Sequence, residues 1–186
     1  MYSIDLVGTA MPAVPTLEKC NRTLVLGMGN PILGDDGVGV RVAAEVLDAL
    51  PADAPVDVSE ACVGGLSLME LMVGYERVIL IDAVGSEPCR PGTIRRMSMT
   101  DLALLGSTQH VASTHDTNLV TALNAGRQMS LSLPSNITIF AIEAKNVLEF
   151  GEELTPEVAG AIPAAVRAVL AELACRDTDT NINKGE

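Results

Sequence analysis

The residues best suited to chemistry in this sequence are aspartates that follow predicted strands, together with one of only two histidines. Asp35 and Asp36 stand side by side in a glycine-rich turn, Asp82 closes an aliphatic run, and His115 lies in a polar stretch before a predicted helix. Carboxylates and an imidazole suit borderline divalent ions such as Ni²⁺, Zn²⁺ or Mn²⁺. The residue types therefore favour an incomplete metal site made by Asp36, Asp82 and His115, with water filling the open positions.

The turn that carries the two aspartates resembles a nucleotide-binding loop only at first sight. Ile32 stands where a dinucleotide-binding fingerprint needs its third glycine. The spacing from Gly29 to Gly34 matches a phosphate loop, but Asp35 replaces the lysine that should follow. Two carboxylates at a helix start repel phosphate, so the turn suits a cation or a basic partner instead.

The predicted strand ends bring the acidic residues to one edge of a sheet. Functional groups in open α/β sheets collect beyond the carboxyl ends of the strands, above all where the strand order reverses. Asp36 follows the first strand, Glu60 ends the second and Asp82 ends the third, while His115 precedes a helix. If the spatial order is 2-1-3, Asp36 and Asp82 face each other at this point.

Structural roles and cysteine chemistry compete with the metal hypothesis. Asp35 and Asp36 could cap a helix, Asp82 could form a turn, and a single histidine is more often structural. Cys62 or Cys89 could approach His115 as a nucleophile, but no neighbouring residue activates either thiol. His110 lies in a polar loop without an acidic partner. Buried or inert thiols are the favoured interpretation for all four cysteines, Cys20, Cys62, Cys89 and Cys175.

Composition limits the class of protein and its partners. The 186 residues fit one domain, and a sequence that is 48% hydrophobic but 2% aromatic predicts a core of aliphatic residues and methionine. A net charge of −12 disfavours nucleic acid and anionic membranes and favours a partner with a basic segment. No apolar run reaches the roughly 20 residues of a membrane span, and the N-terminus lacks signal-peptide features. Together with the scattered cysteines, which are typical of reduced thiols, these features predict a cytoplasmic protein.

Alternating strand and helix patterns predict a mostly parallel, doubly wound α/β sheet with one polar edge strand. The predicted strands cover residues 23–26, 56–60, 77–82, 93–98 and 136–143. One helix is predicted after the first strand, a second from about 66 to 74, and a third from Thr114 or Asp116 as N-cap to Gly126. The last helix is predicted to begin after Thr155 as N-cap, with Pro156 at its first helical position, and Pro163 should kink or split this last helix. Residues 1–22 are expected to form an extension, 23–175 the domain and 176–186 a flexible tail.

Three segments of the sequence closely resemble the [NiFe]-hydrogenase maturation endopeptidases. They are LVLGMGNPILGDDGVGVRVAAEVL around Asp36, ILIDAV around Asp82 and STHDTNLVTAL around His115. FAIE followed by FGEELTPEV is similar to the last strand of the family and the start of its final helix. The resemblance extends from about residue 23 to residue 172, in order and with ordinary spacing.

This resemblance implies a fold, a reaction and a partner. The fold is a three-layer α/β sandwich with a twisted, mostly parallel five-stranded sheet and helices on both faces. The reaction is a nickel-dependent single cut that removes the C-terminal extension of the hydrogenase large-subunit precursor after the metal centre is inserted. The implied metal contacts are Asp36, Asp82 and His115. The substrate would supply the nickel, other divalent ions could substitute, and the protease would act as a monomer.

Departures from the family pattern leave other functions open. Asp36 stands where many members carry Glu, Glu60 where Asp is common, and Ala144 where many have proline; the extension 1–22 is also unusual. The main alternative is a non-catalytic nickel-sensing or delivery module that uses the same three ligands. A weaker alternative is a related metal-dependent protease that acts on another substrate.

Overall fold

The computed structural model describes residues 22–85, 89–105 and 119–175, and these form one mixed α/β sheet with helices on both faces. The strands are β1 (Thr23–Met28), β2 (Val56–Ala61), β3 (Arg77–Val84), β4 (Ile94–Ser98) and β5 (Asn136–Glu143). The helices are α1 (Val38–Ala49), α2 (Gly65–Met72), α3 (Met99–Leu105), α4 (Leu119–Gln128), α5 (Pro156–Ala159) and α6 (Ile162–Ala174). Within these described ranges no helix is long and apolar enough to cross a membrane.

The strand order confirms the predicted arrangement of the sheet. The order is β2-β1-β3-β5-β4, in which the first four strands are parallel and β4 pairs antiparallel with β5 at the edge. The predicted 2-1-3 order is therefore correct, and the polar strand lies at the edge as expected. β2 lies on one side of β1, and β3 lies on the other. The strand order therefore reverses between β1 and β3.

Two apolar layers cover the sheet, because successive strand residues point to opposite faces. Leu26 and Leu80 pack on one face with residues of α2 and α4, including Met69 and Leu123. On the opposite face, strand residues pack with α1, α5 and α6; the layer includes Val25, Ile79, Val42, Val158 and Val169. The predicted three-layer sandwich is confirmed, with a core of aliphatic residues and methionine.

Glycines set the close approach of α1 to the sheet. A Cβ atom added to Gly39 would lie 2.3 Å from the carbonyl oxygens of both Met28 and Ile81. A Cβ atom on Gly27 would lie 2.4 Å from the carbonyl oxygen of Gly39. No side chain fits at either position, so α1 lies directly against β1 and β3 although Ile32 replaces the third glycine of the nucleotide-binding fingerprint.

Some element boundaries differ from the sequence predictions. β1 extends to Met28 and β3 to Val84, each two residues beyond its predicted end, and α3 was not predicted. α4 continues past Gly126, because this glycine makes room for a neighbouring helix instead of ending its own. A Cβ atom on Gly126 would lie 2.6 Å from the sulfur of Met69 in α2.

The C-terminal helix is divided as predicted. α5 has Thr155 at its N-cap position and Pro156 in its first turn, and α6 begins at Ile162 with Pro163 in its first turn. Pro163 therefore starts a second helix, where its missing N–H costs least. The predicted N-caps of α4, Thr114 and Asp116, lie outside the described residues, as do residues 1–21 and 176–186.

Candidate active site at the carboxyl end of the sheet

The turn after β1 is built so that only glycine can occupy its first position. Gly29 has φ +121°, and an added Cβ atom would lie 1.8 Å from the carbonyl oxygen of Asp36. The chain then enters a 3-10 turn (Gly34–Gly37) that carries both aspartates. The turn therefore folds back tightly on itself and fixes the backbone of Asp36 beside the end of β1.

The Asp36 carboxylate is half-buried and is held by one of its two oxygens. Its Oδ2 atom accepts a hydrogen bond from the Asn30 backbone N–H at 2.6 Å. Among the described residues, Oδ1 has no hydrogen-bond partner and Asp36 forms no ion pair. The arrangement orients the carboxylate while leaving one oxygen available to a ligand from outside.

Asp35 is fully buried and links the turn to a distant loop. Its Oδ2 atom accepts hydrogen bonds from the backbone N–H groups of Lys145 and Asn146, each at 3.0 Å. The Thr155 backbone N–H donates to Oδ1 at 2.6 Å, and the Thr155 hydroxyl donates to Oδ2 at 3.0 Å. Neither the 3-10 turn nor α1 has a side-chain cap, so the helix-cap alternative is wrong for both aspartates.

The loop that Asp35 holds, residues 144–155, is also bound to the turn through its backbone. The Gly34 N–H donates to the Gly151 carbonyl at 2.7 Å, and the Gly151 N–H donates to the Ile32 carbonyl at 3.0 Å. Because β3 lies between β1 and β5, this loop has to pass β3 to reach the turn. Sequence reasoning missed this role of Asp35, since its partners are 110 to 120 residues away.

Asp82 lies inside β3 and not at its end. Its side chain is 1% exposed, and Oδ1 accepts a hydrogen bond from the Ala83 N–H at 2.9 Å. Leu80 and Val84 belong to the apolar layer under α2 and α4, so Asp82 points to that same face. The expectation that Asp82 closes the strand as a turn former is therefore wrong, because regular pairing with β5 continues to Val84.

The structure brings two of the three predicted ligands to the same edge of adjacent strands. The 3-10 turn with Asp36 packs against β3, which carries Asp82 two residues from its end. His115, the third predicted ligand, lies outside the described residues. Within the described ranges no group of three or more His, Cys, Asp or Glu side chains forms a metal cluster. The three-residue metal site therefore stays a prediction, as does any role of His110.

The other candidate residues do not add a ligand to this pair. Glu60 lies within β2, opposite Gly27, and is exposed. Cys62 is also exposed, and its Sγ atom donates to the Gly29 carbonyl at 3.1 Å. Cys89 and Cys175 are exposed as well, so of the predicted alternatives, buried or inert, burial does not hold for these three thiols and inertness stays a prediction; Cys20 lies outside the described residues.

The chain after β5 continues the pairing of the sheet through the backbone N–H of Ala144. The Ala144 N–H donates to the Val84 carbonyl at 2.8 Å, a hydrogen bond that proline cannot make. It continues the pairing of β3 and β5 beyond Glu143. The Glu143 carboxylate is buried, and its Oε1 atom lies 2.5 Å from Nη2 of Arg95. This ion pair fixes the edge of the sheet next to the candidate site.

A cleft opens beside the same edge, between α2 and α4. Its volume is about 500 Å³, and small residues leave the space open; the lining residues are Gly64, Gly65, Leu66, Ser67, Thr121, Ala122 and Ala125. Since α2 follows the carboxyl end of β2, the cleft leads toward the edge that carries Asp36 and Asp82.

Fold and site together define a class of α/β protein that presents carboxylates, and not a nucleotide loop, where its strand order reverses. The sequence model of the HycI family, described as hydrogenase maturation protease, matches residues 40–172. The chain belongs to the hydrogenase maturation protease family, which is a family of peptidases.

Individual relatives agree with this assignment. The chain is 30% identical over 156 residues to the hydrogenase expression/formation protein HupD of Rhodobacter capsulatus, covering 83% of this chain and 72% of HupD. It is also 30% identical over 152 residues to the hydrogenase 2 maturation protease of Escherichia coli (strain K12), covering 82% of this chain and 90% of that protease.

Solved structures share the fold. The hydrogenase maturating endopeptidase HybD from E. coli superposes with a TM-score of 0.70 at 30% identity, over 82% of this chain and 92% of HybD. The [NiFe] hydrogenase maturation protease HybD from Thermococcus kodakarensis superposes with a TM-score of 0.62 at 22% identity, over 82% of this chain and 99% of that protein. The second likeness supports the fold alone.

Proposed function

We propose that this protein is an endopeptidase that removes the C-terminal extension of a [NiFe]-hydrogenase large-subunit precursor once nickel has been inserted. The nickel belongs to the substrate, and Asp36, Asp82 and His115 contact it. The observation that carries the proposal is how the Asp36 carboxylate is held: Oδ2 accepts from the Asn30 N–H, and Oδ1 has no hydrogen-bond partner among the residues that the structure describes. A monomer would suffice, since all three contacts come from one chain.

The contrast between the two neighbouring aspartates supports Asp36 as the ligand. Asp35 is buried and accepts four hydrogen bonds from the loop, so its oxygens are already occupied. Asp36 is half-buried and accepts one from Asn30. Carboxylate oxygens combined with an imidazole nitrogen form a donor set that accepts Ni²⁺. The donor chemistry of Asp36, Asp82 and His115 therefore fits the proposed ion.

In this mechanism the protein recognises metal and positions the peptide. Asp36 and Asp82 hold a metal-loaded precursor in place, whereas a precursor without metal offers these carboxylates nothing to bind. A divalent ion at the cut site would polarise the scissile carbonyl or lower the pKa of a bound water. A site carboxylate then accepts the proton of the attacking water. The acidic surface of the protease attracts a basic substrate tail.

The experiment that tests this proposal is the intact mass of the precursor after incubation with the protease. Nickel-loaded and nickel-free precursors are each mixed with wild type, Asp36→Asn, or the control Asp53→Asn. Asn at position 36 keeps an oxygen for the Asn30 N–H but removes the charge, and Asp53 is exposed in the loop between α1 and β2. We expect a C-terminal peptide to be lost only from the nickel-loaded precursor. Asp36→Asn should slow this at least ~100-fold, and Asp53→Asn should not.

Each contrary result has a defined meaning. An unchanged mass together with nickel-dependent binding would replace the protease by a sensing or delivery module. Cleavage of the nickel-free precursor at the same rate would refute nickel recognition. Equal cleavage by Asp36→Asn would keep the protease but remove Asp36 from the site.

A further inference from the structure

Three exposed apolar side chains form a patch beside the candidate active site. They are Ile32 in the turn after β1 and Leu148 and Phe150 in the loop 144–155, with exposed fractions of 47%, 85% and 85%. We call these three residues the loop patch. The chain contains only two phenylalanines, and the other, Phe140, is buried in the core. A side chain that is rare in this protein is therefore placed almost entirely in water.

The loop that carries the patch is held firmly in place. Gly151 exchanges backbone hydrogen bonds with both Gly34 and Ile32. Within the loop, the Asn146 amide donates to Glu149 Oε2 at 2.9 Å, and the Glu149 N–H donates to Asn146 Oδ1 at 3.2 Å. With the Asp35 hydrogen bonds, these contacts fix the backbone on both sides of the apolar residues. The exposure of the patch is therefore a property of an ordered loop.

The position of the patch connects it to the proposed reaction. Ile32 lies four residues before Asp36 in the same turn, and the rest of the patch is bound to that turn by Asp35. Leu47 and Met129 are also exposed, but they lie at the C-terminal ends of α1 and α4, away from this turn. Exposed apolar residues on two adjoining segments next to a site indicate a contact with a partner more strongly than scattered residues do.

The surroundings of the patch define the chemistry of that partner. Glu149, Glu152 and Glu153 are exposed around Phe150 in the sequence and give the patch an acidic rim. The basic side chains here already have acceptors, since Arg41 donates to the Glu152 carbonyl and Lys145 lies 3.6 Å from Glu157. An apolar segment with flanking lysine or arginine residues would complement both the patch and the rim.

We propose that the loop patch is the docking surface for the substrate protein, where it binds an apolar segment flanked by basic residues on the large-subunit precursor. This inference rests on the proposed function. Docking at the patch adds affinity that does not depend on the metal, so it holds precursors with and without nickel. Contacts at Asp36 then decide which of the bound precursors is cut. Recognition of the protein and recognition of its metal are thus separate.

The test compares a patch variant with a matched control. Leu148→Ala/Phe150→Ala removes the two loop residues of the patch, and Leu47→Ala/Met129→Ala removes apolar side chains elsewhere that are exposed at 55% and 68%. Binding to immobilised large-subunit precursor, nickel-loaded and nickel-free, is measured for both variants, together with KM and kcat for the loaded form. We expect the patch variant to bind both forms at least ~30-fold more weakly and to raise KM with kcat unchanged, as for loss of two central interface residues. The control should match wild type.

A charge variant tests the acidic rim. Glu152→Lys/Glu153→Lys should weaken binding ~10-fold at low salt and flatten its salt dependence, because favourable long-range attraction is reversed. Unfolding curves that match wild type show that both variants are folded.

The outcomes separate this inference from the proposed function. If wild type cleaves the precursor and the patch variant does so with the same KM, the docking surface is wrong and the protease stands. If wild type binds through the patch but never cleaves, docking stands and the protease is wrong. A wild-type dimer that the patch variant abolishes, with unchanged precursor binding, would assign the patch to a second copy of this chain and overturn the inference.

Discussion

The amino end of the sheet and the turn after β1 both carry carboxylates shielded from solvent, but these have different partners. At the amino end, Glu172 of α6 pairs with Arg77 at 2.7 Å and with Arg96 at 2.8 Å. At the carboxyl end, Asp35 and Asp36 accept hydrogen bonds from backbone N–H groups and one hydroxyl, and neither forms an ion pair with a described residue. Arginine neutralises Glu172 at the amino end and Glu143 at the end of β5, whereas the turn after β1 only orients its two aspartates.

This difference shows how one chain separates stability from function. The hydrogen bond from Arg96 is the main reason that the pKa of Glu172 is lowered to about 2; hydrogen bonds from Arg77 and Thr138 add to it, while burial acts in the opposite direction. An acid already paired with cations has little to offer a metal ion. Asp36 accepts its hydrogen bond from an uncharged N–H group and forms no ion pair with a described residue, which is the condition that a cation site needs.

The largest expected loss of stability comes from breaking the loop anchor at the carboxyl end. Asp35→Ala leaves the N–H groups of Lys145, Asn146 and Thr155 without their acceptor and should lower the free energy of unfolding by about 3 kcal/mol. Amide hydrogen exchange in residues 144–155 should accelerate, and cleavage should fall with it. Denaturant unfolding compared with Asp53→Ala checks this. Unchanged exchange in the loop would show that the backbone hydrogen bonds suffice.

A smaller, pH-dependent loss is expected at the amino end. Because the folded pKa of Glu172 lies below its unfolded value, the ion pairs stabilise the fold above about pH 4.5 and lose that effect as pH falls toward 2. Glu172→Gln should cost about 2 kcal/mol at pH 7 after allowance for solvent screening. Its difference from wild type should shrink between pH 4.5 and 3 in denaturant unfolding experiments. A difference independent of pH would mean that packing, and not charge, makes the contribution.

The smallest expected effect concerns a single hydroxyl at the amino end. The Tyr75 hydroxyl donates to Asp57 Oδ2 at 3.0 Å, and burial, then the interaction with Asp57, raises the pKa of Tyr75 to about 12. Tyr75→Phe should lower the free energy of unfolding by about 1 kcal/mol, the net value of a typical hydrogen bond. It should also remove the tyrosine absorbance change centred near pH 12 while leaving precursor cleavage intact. Loss of cleavage would contradict the separation of the two ends.

Local pattern was enough to predict most of the sheet and its strand order. β5 was predicted with its observed bounds, and the polar β4 was placed correctly at the edge, because long aliphatic runs and edge polarity are local properties of the sequence. Pro163 likewise marked the division between α5 and α6. The end of β3 differs from the prediction, because the acidic Asp82 predicts the end of a strand, whereas β5 continues to pair with β3 beyond this residue.

The candidate site was only partly predictable from the sequence. Asp36 and Asp82 were selected because both follow strands that become neighbours, and the structure places them at one edge. The role of Asp35 left no local signal, since its partners lie more than a hundred residues further along the chain. Of the two predicted alternatives for the thiols, buried or inert, burial does not hold for Cys62 and Cys89, because both lie in connections beyond the strand ends, where side chains reach solvent.

The hydrogen bonds between Asp35 and the loop 144–155 have a consequence for the order in which parts of the protein fold during synthesis. The turn after β1 is complete only when Thr155 has reached it, 120 residues later. Contacts of such long sequence separation form late in folding, since a large loop of chain must close first. During synthesis, the first forty residues therefore hold an unfinished carboxylate turn until most of the chain has left the ribosome. The growing protease has no competent active site before its fold is nearly complete.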